Sequence, residues 1–117
     1  MGHHFVEKGW GSEEWIVNNE KYCGKLLRIE KGKKTSWHYH KIKDEVMYVH
    51  TGKVKIIHGS KEDINHWNTK EVILFEGESF HIPTGLIHQI IGLEYTELFE
   101  FSTEHFDSDS YRVIKGD

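Results

Sequence analysis

The 117-residue chain is poor in cysteine and proline, with one residue of each. The lone thiol, Cys23, has no partner for a disulfide within the chain, which favours a reducing, cytoplasmic location. The single proline, Pro83, leaves no proline-rich linker that could divide the sequence. The chain is also too short for two independent cores. We therefore expect a single domain over residues 1–117.

Long apolar runs and an excess of one charge are also missing. No stretch approaches the roughly 20 apolar residues of a membrane-spanning helix, and the first residues, MGHHFVEKGWG, lack the apolar region of a signal peptide. Lysine and arginine together number 15, against 19 aspartate and glutamate residues, for a net charge of −4. Without a basic face, nucleic acid is not an expected partner, and without an apolar segment neither is a membrane.

A helical repeat of apolar residues is the third missing feature, because no segment shows convincing 3.6-residue periodicity. Short segments of alternating polarity predominate, and they predict an all-β sandwich or barrel with little helix. Residues 1–11 are expected to form an extended arm, Ser60–Lys70 a polar loop or wide hairpin, and residues 103–117 a tail. The predicted strands are Glu13–Val17, Tyr22–Glu30, Thr35–His40, Glu45–His50, Lys53–Gly59, Val72–Phe75, Ser79–Ile82, His88–Ile91 and Tyr95–Ser102.

Two histidines and a glutamate lie close together in the segment from Gly32 to Gly52, GKKTSWHYHKIKDEVMYVHTG. His38 and His40 are one residue apart, so on an extended strand both side chains point to the same face. A short turn over residues 41–44 is expected to form a hairpin, in which the next strand brings Glu45 beside the histidines. Two imidazoles and a carboxylate are three ligands for a divalent metal ion.

A fourth candidate ligand lies in the segment from Gly77 to Gly92, GESFHIPTGLIHQIIG. The Pro-Thr-Gly sequence marks a sharp turn. It directs the chain into a strand that begins with His88, and we predict that His88 completes the metal site. His81 is expected to face away from the metal. Four further histidines have no partner at ligand spacing and are expected at the surface: His50, His58, His66 and His105.

The spacing of nine residues in these two segments resembles the two sequence motifs of the cupin superfamily. The first motif, G-x5-H-x-H-x4-E-x6-G, is matched by Gly32, His38, His40, Glu45 and Gly52. The second, G-x5-P-x-G-x2-H, is matched by Gly77, Pro83, Gly85 and His88, although Gly92 replaces the asparagine that usually follows. The resemblance implies a double-stranded β-helix, or jelly-roll β-barrel. It also implies one divalent metal ion near the barrel axis, held by three histidines and one glutamate.

The two ends of the chain resemble the cupin domain of type II mannose-6-phosphate isomerases. The similarity covers Val6–Gly11 and Glu14–Ile16 at the start, and Glu100–Thr103 and Asp107–Val113 at the end. Gly9 stands where that group usually has proline, and His38 where its long bifunctional members commonly have glutamine. The resemblance implies a sugar or sugar-phosphate isomerase, in which Arg112 matches an arginine that handles the sugar phosphate.

The ligand set is compatible with manganese, iron, nickel, cobalt or zinc. Such an ion would leave positions open for adjacent substrate oxygens and would polarise a carbonyl, as aldose–ketose isomerisation requires. Isomerisation also needs a proton carrier. We predict Glu97, together with Arg112, as catalytic residues, while Glu100 lies on the opposite face of the same strand. Because the metal site also suits oxygen activation, a small non-haem metal dioxygenase and a non-catalytic carbohydrate-binding cupin are the alternatives.

Resemblance to small single-domain cupins further implies a homodimer. N-terminal strands commonly cross between the sheets of such dimers, and the extended arm at Phe5–Trp10 has backbone groups that could pair in this way. The expected partners are therefore a second copy of the chain and a small-molecule substrate, which we expect to be a carbohydrate.

Overall fold

The alternating segments form eleven strands in the computed structural model, which describes residues 2–60 and 68–117. Strand bounds within these ranges agree with the predicted ones to within two residues. Most of the predicted loop over Ser60–Lys70, including His66, lies outside the described residues. The strands are β1 His4–Lys8, β2 Gly11–Asn18, β3 Cys23–Ile29, β4 Trp37–Tyr39, β5 Glu45–Thr51, β6 Lys53–Gly59, β7 Lys70–Phe75, β8 Ser79–Ile82, β9 Ile87–Gly92, β10 Thr96–Ser102 and β11 Tyr111–Ile114.

The strands pair into two antiparallel sheets. One sheet has six strands in the order β1-β2-β3-β10-β5-β8, and the other has five in the order β11-β4-β9-β6-β7. One 3₁₀ helix, Asp107–Asp109, lies in the described part of the chain. No helix among the described residues is long and apolar enough to cross a membrane. The prediction of an all-β fold with little helix is confirmed.

Alternating burial along the strands places one face of each sheet in the core. In β3, alternate residues from Cys23 to Ile29 are buried, while the residues between them are half-buried. Removing a large apolar side chain from water contributes roughly 1.5–3 kcal/mol, so this shared core holds the two sheets together. The core consists of Trp10, Leu27, Ile29, Met47, Val49, Val54, Ile56, Leu74, Ile82, Ile90 and Leu98.

The predicted arm and the predicted tail each contain a strand that pairs within a sheet. Within residues 1–11, strand β1 pairs with β2 from His4 opposite Trp15 to Lys8 opposite Gly11. Within residues 103–117, strand β11 pairs with β4, where Tyr111 lies opposite Tyr39. The two ends are therefore ordered by pairing with neighbouring strands, which local sequence patterns at the ends did not indicate.

The segment between His40 and Glu45 crosses from one sheet to the other, so the predicted hairpin is wrong. Strand β4 belongs to the five-stranded sheet and β5 to the six-stranded sheet. Glu45 consequently faces the histidines across the interior of the sandwich. Alternation predicts which side chains share a face, but it does not specify which strands become neighbours.

Gly92 lies where the second motif usually has asparagine, and there two backbone segments approach closely. Its amide donates to the carbonyl of Lys33 at 2.9 Å, and its carbonyl accepts from the amide of Gly32 at 2.7 Å. A Cβ atom at this position would lie 2.7 Å from the carbonyl oxygen of Glu30. A side chain would therefore require the backbone to move, which accounts for glycine here.

Candidate metal centre

Three histidines of the five-stranded sheet converge on one point inside the sandwich. His38 on β4 lies directly opposite His88 on β9, and His40 follows two residues after His38. One ring nitrogen from each histidine lies within 4.8 Å of the other two. His40 and His88 are buried, and His38 is partly exposed to the cavity described below.

Backbone carbonyls orient all three imidazole rings. Nδ1 of His38 lies 2.9 Å from the carbonyl of Ser36, Nδ1 of His40 lies 3.0 Å from that of Asp109, and Nδ1 of His88 lies 3.0 Å from that of Leu86. A carbonyl can only accept, so each Nδ1 carries the proton in these bonds. Each Nε2 then keeps a lone pair for a metal ion, the arrangement in which a second hydrogen bond orients a metal-binding histidine.

Glu45 adds a buried carboxylate from the opposite sheet. Its Oε2 lies 3.4 Å from Nε2 of His40, and its Oε1 lies 3.8 Å from Nε2 of His88. Oε2 of Glu45 and Nε2 of His88 are buried without a hydrogen-bond partner. Buried polar atoms rarely lack a hydrogen-bond partner. These two atoms lie beside the other imidazole nitrogens, and such a set of donors fits a divalent cation. The four predicted ligands therefore form a constellation that could hold one ion.

Burial keeps the histidines neutral, as metal binding requires. It lowers the pKa of His40 to about 3, with a further contribution from the nearby Lys43 ammonium, and it lowers the pKa of His88 to about 4. Burial and the neighbouring imidazoles of His88 and His40 hold the pKa of His38 well below its ordinary value. No histidine of the site has to lose a proton near neutral pH before an ion can bind.

A buried ion pair lies next to the candidate ligands. The Lys43 ammonium is 2.8 Å from Oε2 of Glu100 and 3.5 Å from Oε2 of Glu45, and both partners are almost fully buried. Burial alone would raise the pKa of Glu100. The nearby ammonium groups of Lys43 and Lys25 instead lower this pKa to about 2. Burial, and then the charge of Glu100, raise the pKa of Glu45 to about 8. The closer contact with Lys43 thus keeps Glu100 ionised, and Glu45 takes up a proton when no cation is bound beside it.

The ligand constellation opens into a cavity of about 500 Å³, a size typical of small-molecule sites. Met47 and Ile90 contribute apolar wall, and Lys43 and Glu100 contribute the buried charges. Residues 7–10 near the start of the chain and residues 115–117 near its end also line the cavity. The cavity could therefore admit a polar molecule as large as a hexose phosphate.

The structure separates the two residues that we predicted as catalytic. Arg112 lies on β11 opposite His38 and lines the cavity. Glu97 faces outward from β10, and its carboxylate lies 3.7 Å from Nε of Arg28. The position of Glu97 does not favour the proton-carrying role that we predicted, because the inward face of this strand presents Glu100 instead.

Sequence reasoning missed three polar residues around the ligands. Lys43 lies in the turn of the first motif, where a charged residue is ordinarily solvated. His105, expected at the surface, is partly buried, with Nδ1 3.1 Å from Nζ of Lys43. Asp109 is 3% exposed and contacts the turn that follows His40. Their contacts join residues that are distant in the chain, so no local pattern marks them.

The raised pKa of Glu45 predicts that metal binding releases a proton. At pH 7 metal-free Glu45 is mostly protonated, because its pKa is about 8, whereas His40 and His88 are already neutral. Titration of the metal-free protein with Zn²⁺ should release about one proton at pH 7 and almost none at pH 9. Calorimetry in two buffers of different ionisation enthalpy measures this number. Glu45→Gln should abolish the release at pH 7, and equal release at both pH values would contradict the prediction.

A family model described as the cupin domain matches residues 25–99, which include all four candidate ligands. The chain belongs to the cupin family. A comparison with curated proteins finds no significant match. The two antiparallel sheets are consistent with the jelly-roll fold of cupins, and the predicted fold class is confirmed.

Solved structures of three other proteins show how widely this cupin fold is shared. The capsular polysaccharide assembling protein CapF of Staphylococcus aureus matches with a TM-score of 0.83 and 20% identity, over 97% of this chain and 32% of CapF. A variant of Bacillus subtilis oxalate decarboxylase matches with a TM-score of 0.81 and 18% identity, over 94% of this chain and 30% of the enzyme. KdgF from Halomonas sp. matches with a TM-score of 0.75 and 15% identity, over 91% of this chain and 90% of KdgF. The cupin chain thus spans about a third of the first two proteins, and identities this low establish a shared fold only.

Proposed function

We propose that this cupin is a metal-dependent isomerase of a sugar or sugar phosphate, similar to type II mannose-6-phosphate isomerases. One observation carries the proposal: a single cavity contains both the four candidate ligands and a second buried carboxylate, Glu100, that is held ionised. Moving a proton between adjacent carbons of a sugar needs a site for the oxygens and a base beside it. Glu100 lies in the cavity and is ionised at neutral pH, so it is the candidate for this base.

His38, His40, Glu45 and His88 would hold the ion. When bound, a divalent ion would supply Lewis-acid polarisation of the adjacent hydroxyl and carbonyl oxygens of a sugar. The protein orients each imidazole through its Nδ1 and keeps it neutral by burial. Manganese, iron, nickel, cobalt and zinc all accept this ligand set.

Glu100 is the proposed proton carrier. It lines the cavity, and its carboxylate is ionised at neutral pH because Lys43 lies 2.8 Å away. Lys43 also lies 3.5 Å from Glu45, so the proposed base and the candidate ligand contact the same ammonium group. In this role Glu100 takes the proton from one carbon of the sugar and returns it to the next, while the hydroxyl proton on the first carbon passes to the former carbonyl oxygen on the second.

Arg112 is the proposed contact for an anionic group of the substrate. It lies at the rim of the cavity, and guanidinium matches the geometry of phosphate and carboxylate oxygens. Two other cations that line the cavity are already paired: Lys43 lies 2.8 Å from Glu100, and Lys25 lies 3.6 Å from Glu13. Arg112 would thus bind the substrate at the cavity mouth, away from the carbons that react.

The names of the structural neighbours support a substrate that offers two adjacent oxygens. CapF is a capsular polysaccharide assembling protein, solved with the inhibitor 3-isopropenyl-tropolone, and the second neighbour is an oxalate decarboxylase. Tropolone and oxalate both carry oxygen atoms on adjacent carbons, as do the open-chain forms of aldoses and ketoses. This shared chemistry supports the proposal for the present chain, although neither activity transfers at these identities.

Glu100→Gln should lower isomerase turnover by about 10²–10⁴-fold while metal content stays unchanged, because the amide cannot accept the proton. The assay incubates the Mn²⁺-, Co²⁺- or Zn²⁺-loaded protein with mannose 6-phosphate or fructose 6-phosphate in D₂O and follows deuterium entry at the carbon next to the carbonyl by NMR. Glu97→Gln, on the outer face of the same strand, is the matched control and should retain full exchange. Equal loss in the two variants would contradict the role of Glu100.

The same assay separates the alternatives. If wild-type protein loaded with each ion leaves these sugar phosphates and the corresponding free sugars unchanged, the isomerase proposal fails. Oxygen consumption by the iron-loaded protein would instead identify a dioxygenase. Binding of a carbohydrate without turnover or deuterium exchange would identify a non-catalytic cupin.

The homodimer also remains a proposal. Phe99 and Phe101 stack at a centroid distance of 5.9 Å on the outer face of the six-stranded sheet, where Phe101 is 53% exposed. Strand β1 is an edge strand of that sheet and has an edge that could pair with another chain. Both features suit contact with a second copy. Light scattering should give twice the chain mass of 13.8 kDa, and a single-chain mass at every concentration would contradict the proposal.

A further inference from the structure

His40 differs from the other candidate ligands in the source of the bond that orients it. His38 and His88 bind carbonyls two residues earlier in their own segments. His40 binds the carbonyl of Asp109, 69 residues away in the chain. Formation of β4 and β9 is therefore sufficient to orient two of the rings, whereas the third is oriented only when the segment containing Asp109 is docked.

The side chain of the same residue holds the turn that connects His40 to Glu45. Oδ1 of Asp109 accepts from the amide of Lys41 at 2.9 Å and from that of Ile42 at 3.1 Å. Its Oδ2 accepts from the amide of Lys43 at 3.0 Å. Three consecutive backbone amides thus point at one carboxylate that is 3% exposed, which makes these charge-assisted bonds strong and specific in geometry.

The segment that contains Asp109 also pairs with the ligand strand itself. Residues 107–114 comprise the 3₁₀ helix, Ser110 and β11, and β11 pairs with β4 at His38 and Tyr39. The rings of Tyr39 and Tyr111 stack at 5.2 Å. All of residues 107–114 lie beyond the part of the chain that the family model matches, which ends at residue 99. The contacts to His40 and its turn thus come from a segment outside the matched region.

We propose that Asp109 is a positioning residue of the metal centre, and that metal binding is thermodynamically linked to docking of residues 107–114. The proposal rests on the metal centre of the proposed function. With the segment docked, the Asp109 carbonyl directs Nε2 of His40 into the site, and the carboxylate sets the path of the chain to Glu45. With the segment displaced, both ligands lose these constraints. By linkage, an ion that binds the docked form better must also favour docking.

The first test compares Zn²⁺ affinity, measured by competition with a chelator, and the Co²⁺ absorption spectrum across variants. Asp109→Ala removes the carboxylate that accepts from all three amides and should weaken Zn²⁺ binding by about 10–100-fold, the usual effect of losing a group that orients a ligand. It should also change the Co²⁺ spectrum, because ligand geometry changes. Asp109→Asn keeps one acceptor oxygen and should give a smaller loss. Ser108→Ala, exposed in the same 3₁₀ helix, is the matched control and should bind both ions as wild type does.

The second test needs no variant, so it holds even if Asp109→Ala fails to fold. Hydrogen exchange at the amides of residues 41–43 and 111–114 is measured in wild-type protein with and without Zn²⁺. Linkage predicts slower exchange at both sites when the ion is present. Exchange that is unchanged by Zn²⁺, or folded Asp109 variants with wild-type affinity and spectrum, would overturn this proposal alone. Wild-type protein that binds neither Zn²⁺ nor Co²⁺ would overturn the metal centre and this proposal with it.

Discussion

Replacing His88 with alanine is expected to abolish stoichiometric metal binding and, with it, any activity that depends on the ion, including the proposed isomerisation. His88 contributes a fully buried Nε2 that has no hydrogen-bond partner, between the other histidines and Glu45. Its loss leaves at most two imidazoles and one carboxylate around the site, in a pocket arranged for four ligands. Metal content after dialysis, measured by mass spectrometry, should fall from roughly one ion per chain to a small fraction.

His81→Ala is the matched control for this variant. His81 lies on β8, the strand that precedes β9 in the chain, faces away from the site and pairs with Asp44 at 2.8 Å on the surface. The His81→Ala protein should bind one ion and have the melting temperature of the wild type. An excess of Zn²⁺ should raise the melting temperature of the wild type and of His81→Ala but not of His88→Ala, because only a folded state that binds the ion is stabilised. A His88→Ala protein that binds one ion with wild-type affinity would contradict the proposed centre.

Replacing Lys43 with methionine is expected to lower the free energy of unfolding by about 3–5 kcal/mol, the cost of leaving a buried carboxylate without its partner. Lys43 and Glu100 are 3% and 4% exposed, and their charged atoms are 2.8 Å apart. Without the ammonium, Glu100 has to bind a proton or remain charged in the interior. Its pKa would then lie above the unfolded value, so the loss of stability should grow as pH rises above about 5. Urea unfolding of metal-free protein at pH 5 and pH 8 measures both effects.

Two further variants separate this effect from a general loss of packing. Glu100→Gln in the Lys43→Met background removes the unpaired charge and should recover much of the stability. Lys41→Met is the matched surface control: its ammonium lies 4.4 Å from the centre of the Tyr111 ring in an exposed contact that contributes only about 0.5–1 kcal/mol. Equal destabilisation by Lys43→Met and Lys41→Met, or no recovery in the double variant, would show that the buried pair is not what stabilises the interior.

Local patterns were sufficient for much of the fold and for the candidate ligands. Alternation of polar and apolar residues located nine of the strands, because a half-buried strand needs one apolar face. The spacing of His38, His40, Glu45 and His88 identified the four side chains that the structure brings together. Such features depend on residues close together in sequence, which share a strand or a tight turn.

Other features could be predicted only from the position of each strand among its neighbours in the sheet. Alternation showed that Glu97 and Glu100 face opposite ways, but only the packing of β10 between β3 and β5 directs Glu100 into the cavity. The crossing from β4 to β5 between sheets, and the pairing of both chain ends, were likewise absent from the expectations. Each depends on a partner strand that no short segment specifies.

Spacing and polarity within short segments therefore identify a metal cupin and its four candidate ligands. Three-dimensional packing alone supplies the residues that would control how these ligands act: Lys43 contacts Glu100 from 57 positions away in the chain, and His40 contacts Asp109 from 69. The physical reason is that side-chain alternation is a property of one strand. A buried charge pair instead forms between segments that the two sheets bring together, and those segments are distant in the sequence.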